Sequence, residues 1–262
     1  MIHMQGNILY ELLQSYFPNE AAMSWDNVGL LCGRMDKEIK KIYLALDATT
    51  DVIEDAVSQG ADLLLTHHPL IFSGIKRIEE KDFLGERLLT LIENHVTCYA
   101  MHTNYDVKRM ADIAAERMEL KNLQVLEPTS PDGSEGIGYT GDLEDPMLLR
   151  DLALKIKDRF AIPDVRIYGD PNRSIRRVSV CPGSAKGMED YALRQGGDVL
   201  VGGDFGHHEG LDCMEKGIAV IDAGHYGLEH VFMEDMAEFL NAHCPDVTVI
   251  QAKKSYPFTT IM

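Results

Sequence analysis

Three apolar runs in this chain end in histidine. Leu63–Leu65 passes through Thr66 into the adjacent pair His67 and His68, and Val96–Ala100 passes through Met101 into His102. Gly217–Ala223 passes through Gly224 into His225. After each of the last two, a carboxylate follows four residues on: Asp106 after His102 and Glu229 after His225. Imidazole nitrogen and carboxylate oxygen, without sulfur, are donors for Zn, Mn, Fe, Co or Ni, and spacing does not choose among these metals. The expected ligand set is His67, His68, Asp106, His225 and Glu229. His102 is expected either as a further ligand, as a hydrogen-bond partner of one, or as the group that relays protons in catalysis. So many donors exceed what one catalytic zinc with an open position uses. Two divalent ions about 3.5–4 Å apart, bridged by Asp106 or Glu229, use them more naturally.

Strands and helices must bring these side chains to one place. Short apolar runs bounded by turn residues read as strands buried on both faces of a parallel sheet, and reactive groups in such sheets sit past the carboxyl ends of the strands. Between the strands, Asp51–Gln59, Phe83–Asn94, Val107–Leu120, Leu148–Phe160 and Met188–Gln195 carry helical periodicity, and a long helix is expected after His225. The fold class is therefore α/β, with mixed sheets flanked by helices.

The two halves also repeat. Ile42–Leu65 aligns without a gap onto Val178–Val201, matching Gln59 to Gln195, Gly60 to Gly196 and Asp62 to Asp198. Val96–Asp106 aligns onto Ala219–Glu229, matching His102 to His225 and Asp106 to Glu229, with a longer connection after the His pair in the first half. One His-x-x-x-carboxylate pair arises readily by chance. Two at equivalent positions of a repeat, beside a third His site, point to metal. The Pro-, Ser- and Gly-rich segment Glu127–Gly136 is expected to link the halves.

Of the 262 residues, 45% are hydrophobic and 26% charged, and the net charge of −17 disfavours nucleic acid as a partner. No apolar run is long enough to span a membrane, and the N-terminus lacks a signal pattern, so a cytoplasmic protein is expected. Five cysteines without a C-x-x-C agree with reduced thiols. Pro182–Gly187 lacks the GK[ST] ending of a phosphate-binding loop. Trp25, the sole tryptophan, is expected as a packing anchor, and His207-His208-Glu209 as a loop near the mouth of the site. His3, His95, His230 and His243 are expected at the surface or in packing roles.

WDNVGL at Trp25–Leu30, LTHHPLIF at Leu65–Phe72, HTNYD at His102–Asp106 and AGHYGLE at Ala223–Glu229 resemble the Nif-three-like family, whose members are also labelled GTP cyclohydrolase I type 2 homologues. The resemblance implies two interlinked α/β lobes, here residues 1–128 with 230–262 packing back on them, and 129–229. It implies a short form without the domain inserted mid-chain in longer members, and a homo-oligomer, a ring-shaped hexamer. It also implies a dinuclear metal site held by His67, His68, Asp106, His225 and Glu229. Tyr105 stands where leucine is commoner in the family. The activity implied is metal-dependent hydrolysis of a small nucleotide-like molecule such as GTP. The alternative is a non-catalytic metal-bound oligomer that recruits a protein partner or acts in regulation.

Overall fold

The computed structural model describes residues 4–261. His3 lies outside them. The chain divides into two compact units: one runs up to Tyr105 and resumes over Phe232–Lys254, and the other comprises Asp106–Val231 and the residues from Ser255 onward.

The first unit is built on a five-stranded sheet. Its strands are β1 (Gly29–Cys32), β2 (Lys41–Ala45), β3 (Leu63–Thr66), β4 (Thr97–Ala100) and β11 (Thr248–Gln251), in the order β1-β4-β3-β2-β11. All pairs are parallel except β1 with β4. Every residue of β3 and β4 is buried, as the unbroken apolar runs require. Leu63, Leu64 and Leu65 are fully buried, and each contributes about 1.5–3 kcal/mol. This fixes the central strand that delivers the His pair. Helices Thr50–Ser58 and Phe83–Glu93 make the crossovers. The second starts at Asp82, whose carboxylate accepts from the Gly85 amide at 3.1 Å, a regular N-cap.

The second unit has six strands: β5 (Lys121–Pro128), β6 (Gly136–Leu148), β7 (Arg166–Tyr168), β8 (Ser174–Ser184), β9 (Val199–Gly203) and β10 (Ala219–Asp222), in the order β5-β6-β8-β9-β10-β7. Parallel β8, β9 and β10 form its centre, and β7 lies antiparallel on β10 as β1 does on β4.

The internal repeat holds at the level of single hydrogen bonds. Ile42 pairs with Leu63 in the first unit, and their matched residues Val178 and Val199 pair in the second. Asp62 Oδ2 accepts from the amides of Lys40 and Lys41 at 2.8 and 2.9 Å, and Asp198 Oδ2 accepts from Arg176 and Arg177 at 2.9 Å each. Lys41 Nζ donates to the Gln59 carbonyl, and Arg177 Nε to that of Gln195. The matched aspartates thus clamp the start of the preceding strand in both units.

The second match is displaced along the strands. Leu63 lies opposite Thr97, yet Val199 lies opposite Ala219 rather than Val220. The second unit carries one extra residue where its strand ends, and Gly224, at φ +74°, takes it up in a left-handed conformation that glycine adopts at low cost. Past it, His102 and His225 fall into step.

Three sequence expectations change. The division comes at 105/106, not 128/129, because Ala111–Met118 and β5 belong with the second unit. Segment 127–136 is therefore no link between halves. It closes a hairpin in which Pro128 pairs with Gly136 and Glu127 with Ile137. His207-His208-Glu209 is the first turn of a crossover helix, His207–Glu215, rather than a loop. Phe232–Lys254 belongs to the first unit, and the residues from Ser255 onward to the second. No described helix is long and apolar enough to cross a membrane.

Candidate metal centre

In the first unit three imidazoles converge. His67 and His68 leave the central strand β3, and their amides extend its pairing by donating to the Ala45 and Leu46 carbonyls at 3.3 and 2.9 Å. Thr66 Oγ1 donates to the His68 carbonyl at 2.8 Å and closes the turn. His102 follows β4, the neighbouring strand. The ring centroids lie 5.0 Å (His67–His68), 5.3 Å (His67–His102) and 5.6 Å (His68–His102) apart, and one nitrogen from each lies within 4.8 Å of the other two. His67 is fully buried; His68 and His102 are partly exposed.

Each ring is held through Nδ1. That of His67 meets the Met101 carbonyl at 2.8 Å, that of His68 the Asp47 carboxylate at 2.7 Å, and that of His102 the Asp26 carboxylate at 2.9 Å. A carbonyl or carboxylate accepts here, so Nδ1 carries the proton and Nε2 presents its lone pair. Asp26 is fixed further, accepting from the Thr103 amide at 3.0 Å and from Thr103 Oγ1 at 2.6 Å. Burial works to raise its carboxyl pKa, but the bonds from His102 and Thr103 outweigh it and hold the group down at about 2.

The second unit holds the two acids. Asp106 opens a π-helical turn, Asp106–Met110, a form of helix frequent at functional sites. Glu229 closes the short helix His225–Glu229 and is buried. Carboxylate oxygens of Asp106 and Glu229 lie within 4.8 Å of each other. His225 repeats the pattern of the first unit, with Nδ1 at 2.8 Å from Asp204 Oδ2 and Nε2 at 3.0 Å from Glu229 Oε2. With the Nδ1 proton given to Asp204, a lone pair on Nε2 faces a carboxylate oxygen. A proton between them, carried by the ring or by the carboxyl, or a shared cation reconciles those two electron-pair donors.

Gly183 completes the cradle. At φ +74° a side chain there is strained, and a Cβ would meet Glu229 Oε1 at 2.2 Å and His225 Nε2 at 3.6 Å. The buried Cys181 thiol lies in the same field: burial first, then the charges of Asp106 and Glu229, push its pKa up and keep it a thiol. Four Nε2 groups fixed by their Nδ1 partners, with two close carboxylates, suit divalent first-row cations.

Over residues 4–257 the chain matches the family model for Duf34/NIF3 (NGG1p interacting factor 3). The chain belongs to the Duf34/NIF3 family. A "GTP cyclohydrolase 1 type 2 homolog" of Clostridium perfringens is 30% identical, covering 97% of this chain and all of its own length. One of the same description from Streptomyces coelicolor is 32% identical, covering 85% of this chain and 80% of its own. The crystal structure of a Staphylococcus aureus hypothetical protein superposes with a TM-score of 0.89 at 30% identity, covering 99% of this chain and all of that one.

Within this Duf34/NIF3 chain, each expected ligand faces others of the set in its own unit: His67, His68 and His102 in the first, Asp106, His225 and Glu229 in the second. Sequence reading missed the orienting acids Asp26, Asp47 and Asp204. Asp26 stood in the WDNVGL motif, and Asp204 followed the strand that delivers no ligand; neither position announced its partner. His207 and His208 pack against each other at the start of their helix, and Glu209 lies 3.9 Å from Lys186. His230 is buried against Tyr226, His243 packs on Phe239, and His95 is a left-handed turn residue. Trp25 is no packing anchor, being 55% exposed. Tyr105 is buried against Phe17 and Phe232 and donates to Asp235 at 2.6 Å.

Proposed function

We propose that His67, His68, Asp106, His225 and Glu229 hold two divalent cations, and that the protein hydrolyses a small nucleotide-like molecule there. The Nδ1 anchoring of all four histidines carries this reading, because it leaves every Nε2 aimed and basic. Chain connectivity supports joining the two sets. Asp106 is bonded to Tyr105, whose ring lies 6.1 Å from that of His67. Glu229 precedes Phe232 by three residues, and the Phe232 ring lies 5.3 Å from the same imidazole. Two of the three places where the backbone changes units therefore lie next to rings that flank His67.

Divalent cations bound there supply Lewis-acid polarisation of the bond attacked and lower the pKa of the attacking water. His102 takes the proton: Asp26 holds its Nδ1–H, so Nε2 is the base, and the ionised Asp26 carboxylate stabilises the imidazolium that forms. Asp47 and Asp204 keep His68 and His225 in the same tautomer. The net charge of −17 repels an anionic substrate, so the cations are also needed to admit one.

Metal analysis combined with a hydrolysis screen over nucleotides, phosphoesters and cyclic amides tests this. Near two ions per chain is expected, with turnover lost in both His68→Ala and Glu229→Ala while the fold persists. Well under two ions per chain would count against the dinuclear reading. Exposed Ile75, Ile78 and Phe83 favour the second reading, a non-catalytic metal-bound assembly, hexameric or partner-recruiting. Metal without turnover on any of those substrates would select it.

A further inference from the structure

Beside His102 two large aromatic rings are left in water. Trp25 is 55% and Phe72 56% exposed. Their centroids lie 5.9 Å apart, and they lie 6.0 and 6.3 Å from the His102 ring, which meets them nearly edge-on at 74° and 69°. The backbone under them is fixed. Asn27 Nδ2 donates to the Ile71 carbonyl at 2.6 Å, tying the segment after Trp25 to the residue before Phe72. Asp26, next to Trp25, is bound by His102 and Thr103. These rings are therefore held in solvent, at an unrecovered hydrophobic cost, by residues that also orient the His cluster.

We propose that Trp25 and Phe72 form a stacking platform for the planar heteroaromatic ring of the substrate, a purine base. This deepens the reading above and rests on it for the substrate class. Aromatic faces bind bases through dispersion and quadrupole contacts that need no charge. Such binding suits a surface that repels phosphate. The two planes are tilted 45° to each other, so a purine stacks on one ring face and meets the other ring at an angle, with the His102 ring beside both. Ribose and phosphate have no π-face and gain nothing from it. The remaining unit-one aromatics near the cluster, Tyr105 and Phe232, are buried and already packed on one another, so they offer no such face.

Trp25 is the only tryptophan in the chain, so its emission reports this site alone. The wild-type protein is titrated with guanosine monophosphate and with ribose 5-phosphate, first after chelator treatment and then with zinc restored. Saturable quenching by the purine nucleotide and none by ribose 5-phosphate is expected. Phe72→Ala should weaken the nucleotide about tenfold, and Trp25→Ala should weaken it comparably by calorimetry. Absence of saturable quenching under both conditions, or equal quenching by ribose 5-phosphate, overturns the platform. So does a fall in oligomer mass in both variants with nucleotide affinity unchanged, which would assign the rings to a contact between copies. Turnover is not read, so the two readings fail separately: absent quenching overturns the platform, whereas absent hydrolysis in the substrate screen overturns the hydrolase reading and leaves the platform standing.

Discussion

Replacing Asp26 by asparagine should destabilise the metal-free protein at neutral pH and much less in acid. The Asp26 side chain is fully shielded from solvent and accepts four hydrogen bonds, from the Asn27 amide, His102 Nδ1, and the Thr103 amide and hydroxyl. Asparagine can keep the two from Thr103 but not the charge-assisted bond to His102. The carboxyl is held at about 2 against an ordinary 3.8. That depression corresponds to about 2 kcal/mol of stability at pH 7. The sign follows from the direction of the shift: the folded state binds its proton more weakly than the unfolded chain. The contribution is full above the unfolded value and fades as pH falls toward the folded one, to roughly half at pH 3. For a urea slope of about 2 kcal/mol/M, Asp26→Asn should lower the midpoint by about 1 M at pH 7. Trp25 emission in chelator-treated protein reads it out from the neighbouring residue. A midpoint shift that is absent at pH 7, or undiminished at pH 3, would refute the argument that an ionised Asp26 orients His102.

Gly183→Ala combines left-handed strain with a clash against Glu229; a loss of about 1–3 kcal/mol and a sharply reduced metal content are expected by denaturation and elemental analysis. Asp204 itself sits at φ +64° and holds His225. Asp204→Ala should weaken metal binding about 10–100-fold by competition titration with a chromogenic chelator, and Asp204→Asn, which tolerates that backbone and keeps an acceptor, should weaken it less. Of the five cysteines, four are buried and only Cys32 is partly exposed. Burial raises the thiol pKa of each. Native protein should therefore react with a disulfide reagent at no more than one thiol at pH 8, rising to five in denaturant; rapid modification of several native thiols would contradict the packing around Cys181.

Much of the fold was legible because its signals are local. Unbroken runs such as Leu63–Leu65 have only one comfortable setting, a strand covered on both faces. Gly60 and Gly196, at φ +67° and +75°, stop their helices where the sequence placed the stops. The long strand β6 and its partner β5 escaped notice because the buried positions in the first half of β6 are mostly glycine and threonine and β5 is mostly exposed, so no hydrophobic alternation shows. With the hairpin unseen, its Pro- and Ser-rich turn read as a linker, and the boundary shifted by a whole strand. The Trp25 expectation failed for another reason: hydrophobicity ranks a residue's preference for burial, whereas its neighbour Asp26 was already committed to His102 and carried the indole outward.

The donors were legible and their orienters were not, and the distinction is physical. A His-x-x-x-carboxylate spacing is short because helix geometry sets it. An orienting carboxylate has only to reach Nδ1, from wherever the fold supplies one: Asp26 lies 76 residues from His102, while Asp47 and Asp204 each lie 21 from their histidines. These last two pairs share a separation without sharing a place in the repeat, because Asp47 follows β2, the first strand of the repeated pair, and Asp204 follows β9, the second. The position matched to Asp47 is Gly183, where Glu229 leaves no room for a side chain. The duplicated halves have therefore diverged at the same spot into an acid that holds a histidine and a gap that admits a glutamate.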